Sequence, residues 1–231
     1  MALKRSFAEA SSGVSSLLDS SDFTKLREDA STYDETREKI IKRSRDIQKN
    51  SKQAIFSLHR GDLDQAASRL LDAEKGAHEL LPLIQGDPSL RHGSFSSSIE
   101  EFAEAKIFQV FLKEQRLINS SELQLADRDE YLGGVLDFTG ELNRFSIAKA
   151  TTRDTASVRC CRDLVEALMG EFLQFDLRNG ALRKKYDSLK YTLKKMEDTL
   201  YQLSLAEAGL KPKAEEDPVP AHHEQTTMDE A

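Results

Sequence analysis

Residues 182–203 read LRKKYDSLKYTLKKMEDTLYQL. Leu182, Tyr186, Leu189, Leu193, Met196, Leu200 and Leu203 recur at alternating steps of four and three. Such steps align side chains on one face of an α-helix, and three heptads of them make the a/d seam of a coiled coil. This seam either closes inside the chain's own bundle or meets a partner chain. Working back towards the N-terminus, the same rhythm returns. From Tyr33 to Leu58 it runs through Ile40, Ser44, Ile47, Ser51, Ala54 and Leu58. Gly61-Asp62 breaks the pattern, and Leu63, Ala66, Ala67, Leu70, Leu71, Ala77, Leu80 and Leu81 carry a second helix to Pro82. Gly86-Asp87-Pro88 marks a turn. A third helix is expected over Ser89–Gln115 and a short fourth one from Ser120-Ser121-Glu122. A fifth near Asp129–Lys149 shows Tyr131, Val135, Phe138, Leu142 and Phe145, and a sixth shows Val158, Cys161, Val165, Leu168, Phe172 and Phe175. No stretch alternates as a half-buried strand does. The expectation is an all-α fold, a bundle of seven helices over residues 21–209, between a flexible N-terminal segment (1–20) and a disordered acidic tail (210–231).

Proline scarcity permits helices this long. Three of the five prolines, Pro212, Pro218 and Pro220, lie in the last twenty residues, leaving Pro82 and Pro88 to interrupt the rest. No stretch approaches the roughly 20 apolar residues of a membrane span, and MALKRSFAEASSGVSSLL is too polar for a signal-peptide core. Cys160 and Cys161 are adjacent, which suits neither a disulfide framework nor a metal knuckle. A reducing compartment is the simplest reading, and a cytoplasmic and nuclear location is expected.

The formal net charge of −7 conceals strong segregation. Residues 36–60 carry a local +6 and residues 178–195 another +6, whereas 207–231 carry −5. Local basic stripes set the field that a polyanion meets. Lys42, Arg43, Arg45 and Lys49 on the first helix, Arg91-His92, and Arg183, Lys184 and Lys185 on the last are therefore candidates for phosphate contact. Taken singly, each also reads as an ordinary solvated basic residue.

Two acidic pairs are the places where chemistry could reside. In SIEEFAEAKIFQVFL, Glu101 and Glu104 lie three apart on one helical face, with Phe108 one turn on and Phe111 beside Glu104. In YLGGVLDFTGELNRFSI, Asp137 and Glu141 lie four apart and flank Phe138 and Phe145, while Gly133, Gly134 and Gly140 leave room for close approach. Carboxylates at a buried edge are costly unless paired or bound to a metal. Facing pairs would form an oxygen-only cage, the preference of Mg²⁺ or Mn²⁺, where a metal can activate water against a phosphodiester. The alternative is a structural salt bridge from Glu101 or Glu104 to Arg144 or a lysine. His59, His78, His92, His222 and His223 are scattered and read as ordinary surface or core residues. No phosphate-binding loop, nucleophile elbow or catalytic Cys/His spacing occurs.

Four runs in order, KRSRDIQKNSKQAIFSLHR, EEFAEAKIFQVFLKEQRLI, DEYLGGVLDFTGELNRFSI and LRNGALRKKYDSLKYTLKKMEDTLYQLS, resemble the translin superfamily over about residues 33–206. The resemblance implies a seven-helix protomer that assembles into a hollow octameric shell around single-stranded nucleic acid. It also implies Mg²⁺-dependent endoribonuclease activity, with Glu101 and Glu104 matching the Glu-x-x-Glu motif of translin-associated factor X and Asp137 and Glu141 its Asp-x-x-x-Glu motif. The last helix resembles translin, the binding subunit of the family. The expected function is a metal-dependent endoribonuclease subunit acting on single-stranded RNA, with single-stranded DNA a further candidate ligand. It would assemble as a homo-oligomer or a hetero-octamer with a translin subunit, away from any membrane. The rivals are a non-catalytic translin-like binding subunit and a coiled-coil scaffold. Nothing resembles an aromatic platform for stacking bases, so little reading of base identity is expected.

Overall fold

The computed structural model of the chain describes residues 18–210. Residues 1–17 of the N-terminal segment and 211–231 of the acidic tail lie outside the described residues. Aspartates begin most of the helices. Asp19 accepts from the amides of Ser21 and Asp22 and opens α1, Ser20–His59; Asp62 accepts from that of Gln65 and opens α2, Leu63–Gly86. α3, Ser94–Glu114, follows Gly93 at φ +87°, a left-handed conformation that glycine adopts without strain. Asp127 and Glu130 form a capping box at the start of α4, Arg128–Thr151. Asp154 opens α5, Thr155–Phe172, and α6 runs over Ala181–Glu207.

The described residues contain six α-helices, not seven. Ser120-Ser121-Glu122 does signal a helix start, but Asn119 and Glu122 cap one another within a single 3₁₀ turn and the chain leaves it at Leu123. Pro88–Arg91 is likewise a 3₁₀ turn, so α3 starts five residues later than the periodicity predicts. α1 starts thirteen residues earlier than Tyr33, and its residues 20–35 are exposed, so no burial pattern marks them in the sequence. α2 runs through Pro82 to Gly86. No helix among the described residues is long and apolar enough to cross a membrane.

α1 packs on α2 and α3, α3 on α4, and α4 on both α5 and α6, which also pack on each other. The stripe Ile40, Ser44, Ile47, Ser51, Ala54 and Leu58 is buried as its spacing predicts. The α6 seam closes inside this chain: Leu189, Leu193, Met196 and Leu203 are buried where α6 meets α4 and α5. It is therefore not free to meet a partner. α3 is the centre, with Phe95, Ile99, Phe102, Ile107 and Phe108 on several faces at most 1% exposed. A helix covered on all sides can bury a carboxylate, and α3 buries Glu104.

Candidate functional site: an acid cluster between two central helices

Gly134 brings α3 and α4 together. A Cβ at that position would stand 2.7 Å from Cβ of Ala103 and 2.9 Å from the backbone nitrogen of Glu104, so the two helices touch backbone to backbone. Asp137 follows one turn later on α4, and its charge acts on Glu104. At Gly133 a Cβ would overlap the carboxylate of Glu100. Gly140 has open space around it and does not serve this contact.

Glu104 is 8% exposed and makes no hydrogen bond or salt bridge from its side chain among the described residues. Burial pushes its carboxyl up to about 9, and the charges of Asp137, Glu101 and Glu141 push in the same direction. Burial also raises Glu101, opposed by Lys52 at 3.6 Å. Glu100, which the spacing argument passes over, is raised by burial and opposed by Lys185. The Lys185 ammonium donates to both Glu100 and Asp137; burial works to lower it, but these two acids outweigh burial and hold it raised. Nε2 of His59, the last residue of α1, donates to Glu141, whose carboxylate also lies 3.8 Å from Arg144. The His59 ring packs 4.7 Å from that of Phe108, which contacts Phe138 and Phe145 in turn. A salt bridge is thus present at Glu101, Asp137 and Glu141, and Glu104 is the acid among the four without one.

The chemistry of this donor set is all oxygen, which suits a hard divalent cation. Its arrangement is looser than a finished cage: among the described residues no group of three or more His, Cys, Asp or Glu side chains is arranged to hold a metal ion. Lys185 lies on Asp137 and His59 on Glu141.

The basic candidates divide. Lys42, Arg45, Lys49 and Lys184 are exposed. Arg43 pairs with Glu79 at 2.7 Å and Asp46 at 3.4 Å, joining α1 to α2. Arg91 donates to Glu130, to Asp127 at 3.2 Å and to the Leu125 carbonyl at 3.0 Å, which makes it a brace for the start of α4. His92 is exposed beside a cavity of about 550 Å³ between the starts of α4 and α6, which Glu100 also lines. Arg183 pairs with Asp187 one turn on at 3.0 Å. Lys185 joins the acids. Each basic run therefore sends one ammonium to the cluster, Lys52 from α1 and Lys185 from α6.

Sequence reasoning placed His59 among ordinary histidines and missed Glu100 and Lys52 as neighbours of the site. Glu100 had one available signal, its position four residues before Glu104 on the same helical face. His59 had none, since its contact with Glu141 spans 82 residues.

An all-helical bundle with a buried acid cluster flanked by two basic helices defines a class, and comparison with known proteins identifies the family. Residues 35–207 match the Translin family, and the chain belongs to it. It is 28% identical to the translin-associated protein X homolog of Schizosaccharomyces pombe over 194 residues, covering 74% of this chain and 82% of that one. It is 38% identical to translin of Homo sapiens over 79 residues, 34% of this chain, and this match spans 35% of the human protein's length. Among solved structures, apo-NeC3PO is similar at a TM-score of 0.72 and 24% identity, covering 80% of this chain and 98% of that one. The AfC3PO–duplex RNA complex is similar at 0.64 and 21%, covering 81% and 98%.

Proposed function

We propose that the chain is a Mg²⁺-dependent endoribonuclease subunit of the translin-associated factor X type, binding and cutting single-stranded RNA. The observation that supports this most is Glu104, a buried carboxyl without a cation of its own among the described residues, surrounded by the charges of Asp137, Glu101 and Glu141. A divalent cation relieves that repulsion, and Glu101, Glu104, Asp137 and Glu141 would hold Mg²⁺ or Mn²⁺. When bound, such an ion lowers the pKa of water and polarises a phosphoryl oxygen. The chain's own residues do the rest. Glu104 would release its proton to solvent on meeting the cation, the α3–α4 contact fixes the acids relative to one another, and exposed Lys42, Arg45, Lys49 and Lys184 would attract the RNA backbone. The family favours assembly into a shell, as a homo-oligomer or with a translin subunit. The 79-residue likeness to translin supports a second reading, a non-catalytic subunit that binds single-stranded RNA or DNA.

The test is a fluorescent single-stranded RNA incubated with the purified chain, alone and mixed with a translin subunit, with and without Mg²⁺. A duplex RNA runs in parallel, since the solved AfC3PO complex contains one. Cleavage that needs Mg²⁺ is expected. Tight RNA binding without cleavage in every mixture would reject the enzyme reading and leave the binding subunit.

A further inference from the structure

We propose that Lys185 is a further catalytic residue of this site, the ammonium that meets the phosphodiester being cut, and that Glu100 is the positioning residue that holds it there. This rests on the endoribonuclease reading. A cluster of acidic side chains repels a polyanion, so a phosphate can approach it only where cations are fixed in place. Four basic side chains touch the acids. Arg144 reaches Glu141 alone, at 3.8 Å, and its side chain is 58% exposed. Lys52 reaches Glu101 alone and its side chain is 60% exposed, and His59 is occupied in holding Glu141. Lys185 is held by two acids on two helices, Glu100 of α3 and Asp137 of α4, with its side chain 27% exposed.

The two anchors are unequal. Asp137 belongs to the set that would hold the divalent cation; Glu100 does not. Gly133 gives Glu100 a separate seat, because any side chain at that position would collide with its carboxylate. From there Glu100 also borders the cavity of about 550 Å³ between the starts of α4 and α6. When Asp137 turns to a cation, Glu100 retains Lys185, and an ammonium with three donors then has hydrogens to give to a phosphate oxygen. Lys185 forms and breaks no covalent bond. It supplies positive charge, fixed beforehand, where negative charge grows on the phosphoryl oxygens, and a donor already in place needs no reorganisation.

The experiment compares the native chain, in the assembly that cleaves, with Lys185→Gln, Lys185→Arg and Glu100→Gln. The readouts are Mn²⁺ affinity, affinity for single-stranded RNA without metal, melting temperature and the single-turnover cleavage rate. Lys185→Gln is expected to bind Mn²⁺ as well as or better than the native chain, because a competitor for Asp137 is gone. Its RNA affinity should change little while its cleavage rate falls by about 100-fold, the usual loss for one such donor. Lys185→Arg should recover much of that rate, and Glu100→Gln should lose cleavage with Mn²⁺ affinity intact. If Lys185→Gln does not fold, Glu100→Gln carries the same comparison, since it leaves Lys185 its bond to Asp137. Cleavage by Lys185→Gln as fast as the native chain's, or loss of Mn²⁺ binding in step with cleavage, overturns the proposal while the endoribonuclease reading stands. A native chain that neither takes up Mn²⁺ nor cuts RNA overturns both.

Discussion

Glu104 and Asp137 meet across one helix contact, yet replacing their carboxyls by amides should move stability in opposite directions. Among the described residues Glu104 has no cation partner, and its carboxyl is held at about 9, well above the usual 4.5. A carboxyl raised on folding lends stability that is fully present below the unfolded value and is lost as pH rises through the folded one. Metal-free stability should therefore decline from about pH 5 to pH 9. Glu104→Gln should flatten that decline and raise the melting temperature at pH 8, while abolishing cleavage; a variant that melts lower at pH 8 would contradict the crowding argument. Asp137→Asn weakens the seat of Lys185 and should lower metal-free stability by about 1 kcal/mol, the modest figure for a pair about a third exposed. Chemical denaturation at fixed pH separates the two signs. The spacing of Glu101, Glu104, Asp137 and Glu141 was legible in the sequence because each pair lies within one helix. His59 and Lys52 enter through contacts between helices, which periodicity does not encode, and Glu100 offers only its place four residues before Glu104 on the same face.

The α3–α4 contact rests on Gly134, and glycine substitutions along α4 test it. Gly134→Ala sets a methyl group against Cβ of Ala103 and the backbone of Glu104, where neither neighbour is a flexible tip. The expected cost is about 1–3 kcal/mol, with a loss of Mn²⁺ affinity as the helices part. Gly140→Ala meets open space on the same helix and should stabilise by about 0.5–1 kcal/mol. Thermal melts of the two variants should move in opposite directions. The same helices show what sequence reading reaches at this scale. The stripe of α1 was legible because Ser44 and Ser51 are small enough to occupy apolar positions. The extra helix at Ser120 arose because a capping box announces a start and not a length. Residues 20–35 of α1 went unread because, with every position exposed, no stripe distinguishes them.

For the whole molecule, closure of the α6 seam inside the bundle removes that seam as an argument for assembly. The case for assembly now rests on family membership and on surfaces that stay uncovered, such as Phe23, Leu26, Tyr191 and Tyr201, each more than half exposed. Light scattering should give a mass several times 26.0 kDa, for the chain alone or with a translin subunit. A monomer in both cases would remove the assembly. Binding of single-stranded RNA should weaken as salt rises, with a logarithmic slope of about −0.7 for each phosphate neutralised. A flat response would remove the exposed lysines and arginines of α1 and α6 as contacts.

The uncovered start of α1 has a consequence for exchange of amide hydrogens. Sixteen exposed residues of helix, about 24 Å at 1.5 Å per residue, lead into the packed part of α1, and among the described residues only their last turns, at Asp29, Thr32 and Tyr33, border α2 at Pro82 and Leu83. A helix end with so little tertiary support among the described residues is marginal in water, so its amides should trade deuterium quickly in an isolated chain, in a gradient that slows towards Ile40. If a neighbouring subunit covers this segment, the same amides should become slow when assembly occurs. Deuterium uptake of residues 20–35, followed by mass spectrometry against protein concentration, would then report the population of assembled molecules from a stretch of chain far from the acids.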